Sequence, residues 1–242
     1  MHELQEKYSA QIRELADVSV KCGKLGFVAS HGGNLSINTG DGVILITPTK
    51  VAKEDLRFED IVLVDPDGKI LYAADGRKPT GETPMHTFIY RKRPDLRSLV
   101  HAHPPYLTGF SISGGEILAR PILPEPCIEL GPILSIPYAE PVSDTLAKCF
   151  ESVLPYSNAW LMKNHGITIG SDQGVARTLG LLQMAEAMAQ SVLTAQMTGG
   201  VHEIPQEEVR NLSRVLEGRG LPCPGDPWRN ATLVSLFFEN AK

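Results

Sequence analysis

The chain has 242 residues, with 23 Lys plus Arg against 28 Asp plus Glu, a net charge of −5. That balance excludes a phosphate-neutralising nucleic-acid surface and a polybasic membrane anchor, which leaves small molecules as the expected partners. With 42% apolar and 21% charged residues, the chain is long enough and apolar enough to bury a core without disulfide or metal staples.

The first predicted element is an amphipathic helix, with Leu4, Tyr8, Ile12, Leu15, Val18 and Cys22 at spacings of three and four and Gly23 and Gly26 to end it. Leu35 and Ile37 alternate with polar neighbours as a strand. Asp41-Gly42 turns the chain, and Val43 to Ile46 is the return strand. Residues 60–65 read as a short buried strand that Pro66-Asp67-Gly68 folds back into 69–72. Glu82 to Lys92 reads as a helix with Pro84 in its first turn. Ser98 to His103 reads as a strand that Pro104-Pro105 stops, and Ile133 to Tyr138 as another. Ser143 is an N-cap for a helix carrying Leu146, Cys149, Phe150 and Val153. Trp160 to Lys163 and Ile167 to Ile169 are strand-like and flank Asn164-His165-Gly166. The longest helix runs from about Asp172 to Met197, and a further one from about Pro205 to Glu217. Leu233 to Phe238 fits no single pattern. Strands cluster instead of alternating strictly with helices, and no repeat or long polar linker interrupts the chain. The expected fold is therefore one α/β domain over 1–242, a mixed and mainly antiparallel central sheet flanked by helices, with 200–242 as a C-terminal helical extension.

Cys22, Cys127, Cys149 and Cys223 are irregularly spaced and form no C-x-x-C pair, so a zinc ribbon, a thioredoxin-like motif and a disulfide scaffold are all unsupported. The start of the chain is charged and lacks the apolar stretch of a signal peptide, and no apolar run approaches the ~18 residues that span a bilayer; the expectation is a cytoplasmic protein.

Three histidines carry candidate chemistry. His101 and His103 sit at i and i+2 of a predicted strand, so both rings project from one face and can share one cation. The same pair also fits a half-exposed strand face with no metal. A catalytic zinc takes three protein ligands and keeps one position open, and His165, at a strand end in Asn-His-Gly, is the best third candidate. Glu82 opens the helix in KPTGETPMH, where a carboxylate also serves the helix dipole. His86, four residues on, shares that face; it either supports the site from behind or simply packs, and packing is the favoured reading. Gly32-Gly33-Asn34, Thr47-Pro48-Thr49 and Thr80-Gly81 offer amides and hydroxyls that cradle an anion or simply punctuate turns. His31-Gly32-Gly33 is not an esterase oxyanion loop, because no G-x-S-x-G elbow exists; G-x-G-x-x-G and P-loop motifs are absent as well.

Taken together, GGNLS (32–36), ITPTK (46–50), KPTGETPMH (78–86), RPDLRSLVHAHPPY (93–106) and LMKNHGITIG (161–170) resemble the class II aldolase/adducin family over about residues 8 to 200. The resemblance implies a metal-dependent aldolase of a fuculose 1-phosphate-like sugar phosphate, working through a zinc-stabilised enediolate. The alternative it implies is a decarboxylase, dehydratase or epimerase of the same superfamily acting on an oxo acid or ketose phosphate. It implies that His101, His103 and His165 bind the metal (Zn²⁺, with Mn²⁺ or Co²⁺ as alternatives) and that Glu82 is catalytic and also contacts the metal. It places Asn34, Thr49 and Thr80 at the substrate phosphate, with Lys50 and Gly81 beside them, and it implies a homotetramer. Two departures stand out. Lys50 replaces the glycine common after the first threonine loop, and Thr80-Gly81 replaces a Ser-Ser pair. The stretch 118–131, where the fuculose-phosphate enzymes carry a proton-donor tyrosine, has none; Tyr106 and Tyr138 are the substitutes on offer. Adducin carries the same fold without activity, and the intact histidine triad plus Glu82 argue against that reading here.

Overall fold

Among the residues the structure describes, 2–239, eight strands join into one sheet. The structure is a computed structural model. The strands are β1 (Asn34–Asn38), β2 (Ile44–Ile46), β3 (Val62–Val64), β4 (Ile70–Tyr72), β5 (Ser98–Ala102), β6 (Ile133–Ile136), β7 (Ala159–Met162) and β8 (Gly166–Ser171), in the order β4-β3-β2-β1-β5-β8-β7-β6. Every neighbouring pair is antiparallel except β6 with β7. The mixed, mainly antiparallel sheet expected from the clustered strands is what forms.

Strand alternation divides the core into two layers. Leu35, Ile37, Val100, Ala102, Ile167 and Ile169 point to the face covered by α2 (Ser9–Lys24), α4 (Pro105–Ser113) and α7 (Val175–Thr198). Ile44, Ile46, Val62, Leu99, Trp160 and Met162 point to the other face, under α3 (Thr83–Lys92) and α6 (Asp144–Cys149). His101 follows Leu99 by two residues and therefore looks toward α3. The α3 helix thus brings its first turn over the middle of the sheet, next to the β5 histidines.

The helices differ from the sequence reading in three places. The first helix breaks at Tyr8, which leaves α1 (Glu3–Lys7) separate from α2; Tyr8 has φ −105 and ψ 20, and its hydroxyl donates to Asp41 at 2.9 Å. Pro104-Pro105 stops β5 as expected but also starts α4, because proline's fixed φ and missing N–H suit the first helical position. The buried Glu186 of α7 accepts the N–H groups of Tyr106 and Leu107 at 2.8 and 2.9 Å, satisfying that helix end. A short α5 (Pro124–Glu129) also begins at a proline. Beyond residue 200, α8 (Gln206–Gly218) and a helical turn at Ser235–Glu239 bury Val209, Leu216, Leu233 and Phe237 against Cys127 and Ile128 of α5. Among the described residues no helix is long and apolar enough to cross a membrane.

Candidate active site

Register places the first three polar side chains. Asn34 pairs with His101 across β1–β5, and His101 pairs with Thr168 across β5–β8, so the three stand in a row on the α3 side. His101 is fully buried, and its Nδ1 lies 3.0 Å from the Ile167 carbonyl oxygen. That acceptor assigns the ring proton to Nδ1 and leaves the Nε2 lone pair pointing into the site. His103 lies just past the strand end, where its N–H donates to the Phe27 carbonyl at 2.8 Å, and its Nε2 is 3.0 Å from His101 Nε2. His165 occupies the tight turn between β7 and β8, formed by Asn164 at φ 56. Its ring centroid is 4.7 Å from that of His101 and 5.2 Å from that of His103. Gly166 is required beside it: a Cβ there would stand 2.5 Å from the Ala102 carbonyl oxygen and 2.6 Å from His103 Cδ2.

Glu82 enters from the N-terminal end of α3. Its Oε2 lies 3.4 Å from His101 Nε2 and its Oε1 lies 3.6 Å from His165 Nε2. Asn34 Nδ2 donates to Oε2 at 2.7 Å. Glu82 Oε1 and His165 Nδ1 are buried with no hydrogen-bond partner among the described residues.

Three imidazoles converge with one ligand atom each, all within 4.8 Å of one another. Burial, followed by the neighbouring His103 and His165, pushes the His101 pKa well down. Burial, followed by His165, lowers that of His103. Both rings are therefore neutral at pH 7, and neutral imidazole is the form that binds a cation. A cluster of lone pairs with a buried, unpartnered carboxylate oxygen beside it fits a divalent metal in its donor chemistry, its number of ligands and its hydrogen-bonded outer shell.

His86, for which the sequence favours packing over a supporting role, is hydrogen-bonded on both ring nitrogens. Its Nε2 lies 2.5 Å from Asn34 Oδ1 and its Nδ1 lies 2.7 Å from Ser36 Oγ, and burial holds its pKa down at about 4. Ser36 Oγ in turn lies 2.8 Å from the buried hydroxyl of Tyr90. Sequence reasoning passed over Ser36 and Tyr90, although Glu82, His86 and Tyr90 recur every four residues on α3 and Asn34 and Ser36 alternate on β1. It also passed over Lys53, which is fully buried, donates to the His31 carbonyl at 3.3 Å and is held down to about 8 by burial.

The two threonine loops lie side by side. Thr49 N–H donates to the Lys78 carbonyl at 3.0 Å, Thr80 N–H donates to that of Thr47 at 3.1 Å, and Pro48 bridges to Pro79. Thr49, Lys50, Thr80 and Gly81 are thereby gathered at the start of the segment that delivers Glu82. Lys50 is exposed, has no protein partner among the described residues and sits at φ 59, the left-handed conformation that accounts for glycine's usual presence there. Both ends of the Asn34 carboxamide are engaged, the NH₂ by Glu82 and the oxygen by His86. Tyr106 is 36% exposed and Tyr138 is 61% exposed.

Over residues 13–193 the chain matches the class II aldolase and adducin N-terminal domain. It is 31% identical over 198 residues to 5-deoxy-D-ribulose 1-phosphate aldolase of Bacillus thuringiensis serovar kurstaki, covering 81% of this chain and 90% of that one. It is 31% identical over 151 residues to 3-oxo-tetronate 4-phosphate decarboxylase of Haemophilus influenzae, covering 61% of this chain and 70% of that one. The solved structure of YgbL from Klebsiella pneumoniae aligns with a TM-score of 0.77 at 25% identity, over 84% of this chain and 98% of that chain.

Proposed function

This chain belongs to the class II aldolase and adducin family, and we propose that it is a metal-dependent aldolase that cleaves or forms a ketose 1-phosphate of the L-fuculose 1-phosphate type. The observation that carries this reading is the placement of the Glu82 carboxylate 3.4 and 3.6 Å from two members of a three-histidine cluster. In the proposal His101, His103 and His165 hold the cation, Zn²⁺ foremost with Mn²⁺ or Co²⁺ as alternatives, and Glu82 stands beside it. Once bound, such an ion supplies Lewis acidity to the oxygens of the substrate's carbonyl and adjacent hydroxyl.

The chain's own groups account for the rest. Imidazole ligands, unlike thiolates or carboxylates, bring no charge to a cation, so one held by three of them would keep its full electrophilic character. Glu82 takes a proton from carbon and returns it; its Oε2 is held by Asn34 and its Oε1 is unpartnered, which assigns the proton transfer to Oε1. Thr49, Lys50, Thr80 and Gly81 receive the phosphate far from the reacting carbons, and that remote binding fixes the distance between carbon and base. The working form is a homotetramer, with Tyr106 and Tyr138 as the side chains available to donate a proton.

A second reading, decarboxylation of a phosphorylated oxo acid, is favoured by Lys50. An unpaired ammonium replaces a glycine in the anion loop, and the Haemophilus influenzae relative bears that activity in its name. Proton exchange separates the two. The metal-loaded protein is incubated with dihydroxyacetone phosphate in D₂O and the hydroxymethyl protons are followed by NMR. Stereospecific exchange of one proton, lost in Glu82→Gln, is the expected result. No exchange with metal demonstrably bound overturns the aldolase reading in favour of oxo-acid decarboxylation.

A further inference from the structure

Beneath the site a line of four buried polar residues leads to Glu82. It begins at Tyr90, passes through Ser36, His86 and Asn34, and ends at Glu82, with contacts of 2.8, 2.7, 2.5 and 2.7 Å. Tyr90, Ser36, His86 and Asn34 are all at least nine-tenths buried, with exposures of 5%, 0%, 0% and 4%. Every one of these groups therefore depends on its neighbour for a hydrogen bond, since an unpaired buried polar group is costly.

The direction of each hydrogen bond follows from the two ends. The Asn34 NH₂ donates to Glu82 Oε2, so the Asn34 group facing His86 is the carbonyl oxygen. A carbonyl oxygen only accepts, so His86 presents N–H at Nε2. A neutral ring with its proton on Nε2 has a bare Nδ1, so the Ser36 hydroxyl donates to it. The Tyr90 hydroxyl stands 2.8 Å from Ser36 Oγ and 3.2 Å from the Ser36 carbonyl oxygen; with the serine proton committed to His86, the shorter contact takes the tyrosine proton. All four donors point the same way, toward the carboxylate, and successive hydrogen bonds so aligned polarise one another.

Resting on the functional reading above, we infer that His86 is a positioning residue for catalysis: through the Asn34 carboxamide it fixes the Glu82 carboxylate so that Oε2 is held and Oε1 alone is presented to the substrate. If His86 lost its Nε2–H, the Asn34 amide would be free to turn over and set its oxygen against Glu82 Oε2, two acceptors face to face. The carboxylate would then rotate away, carrying Oε1 with it, while the three histidines stayed where the β5 end and the β7–β8 turn hold them.

Two replacements divide the ring's functions. His86→Gln keeps an N–H near the position of Nε2 and so keeps the donor to Asn34. His86→Asn reaches only as far as Nδ1, keeps contact with Ser36 and loses the donor. The experiment measures bound metal, kcat and KM for dihydroxyacetone phosphate proton exchange in both variants. It also records histidine ring ¹⁵N spectra of the wild type and the hydrogen exchange of the Asn34 side-chain amide in the wild type and in His86→Asn. The expected result is unchanged metal content in both variants and a kcat about 10²-fold lower in His86→Asn with KM little changed. His86→Gln is expected to recover most of that loss. The His86 ring is expected as the Nε2–H tautomer, and the Asn34 amide as slowly exchanging in the wild type and fast in His86→Asn.

An Nδ1–H tautomer, or equal kcat in the two variants, overturns the inference. If both variants fold poorly, the wild-type tautomer and the protection of the Asn34 amide decide it. If the wild type shows no exchange with metal bound, the aldolase reading fails on its own; the positioning chain then stands on an Nε2–H ring and a protected Asn34 amide, and falls without them.

Discussion

Asn34 faces His101 directly across the β1–β5 ladder, and its amide nitrogen stands 2.7 Å from Glu82 Oε2. One carboxamide thus ties the strand that carries the central histidine to the helix start that carries the acid. The relative position of His101 and Glu82 is set by sheet register and by a single buried hydrogen bond, so both can be tested by substitutions that leave the rest of the fold alone.

Removing any one histidine should release the metal. His101→Ala, His103→Ala and His165→Ala are each expected to bind divalent cation at least about 100-fold more weakly than the wild type, beyond the 10–100-fold typical of losing an outer-shell partner. Metal content by elemental analysis after dialysis is the check, and a variant that keeps its full complement would be removed from the ligand set.

Glu82→Gln should separate binding from chemistry. The amide fills the same space and the three imidazoles remain, so metal is retained. Turnover in the proton-exchange assay should fall about 10²–10⁴-fold, the usual contribution of a positioned acid or base. Full activity in this variant would exclude Glu82 as the proton carrier.

His86 should leave a signature in the pH dependence of stability. Burial lowers its pKa from 6.5 to about 4 in the folded protein. Between those two values the unfolded chain takes up a proton that the folded protein refuses. Stability conferred by the neutral ring is therefore complete above about 6.5 and is lost as the pH falls toward 4, by roughly 3 kcal/mol in all. Urea unfolding of metal-free wild type and His86→Gln across this window isolates the effect, since the other histidines are common to both. Parallel curves would show that His86 is not held neutral.

Gly166→Ala should damage the site without touching a ligand. The added methyl would press on the Ala102 carbonyl oxygen at 2.5 Å and on the His103 ring at 2.6 Å. A loss of about 1–3 kcal/mol in unfolding free energy is expected, together with weaker metal binding.

Lys50→Gly should have opposite effects on stability and binding. Relief of the left-handed backbone at φ 59, less the entropy glycine adds to the unfolded chain, should raise stability by about 0.5–1 kcal/mol. Binding of inorganic phosphate, followed by titration, should weaken as the unpaired ammonium is lost.

The four residues His101, His103, His165 and Glu82 were legible because each depends on local geometry: a period of two along a strand, a turn between two strands, a helix beginning. The hydrogen bonds of His86 were not, because its partners Ser36 and Asn34 lie 50 and 52 positions upstream and only sheet register brings them under α3. The start of α4 was hidden for a similar reason. Pro104-Pro105 reads as a stop from within its own neighbourhood, and the carboxylate that caps the new helix comes from Glu186, 80 positions away from Tyr106. Lys53 sits in a charged stretch, Lys53-Glu54-Asp55, that looks like any solvated surface, and only the packing of α2 against this turn, with the lysine's hydrogen bond to the His31 carbonyl, encloses it.

The spacing of Glu82, His86 and Tyr90 on α3 also limits which changes of length the chain can accept. One residue inserted between Glu82 and His86 turns everything after it by about 100°, which swings the imidazole and the phenol off β1 together. The hairpin tip at 39–42 has no such constraint, since it meets the site only through the strands it joins. A library of single-residue insertions scored for proton exchange should therefore show a dead interval from 82 to 90 and a permissive one at 39–42.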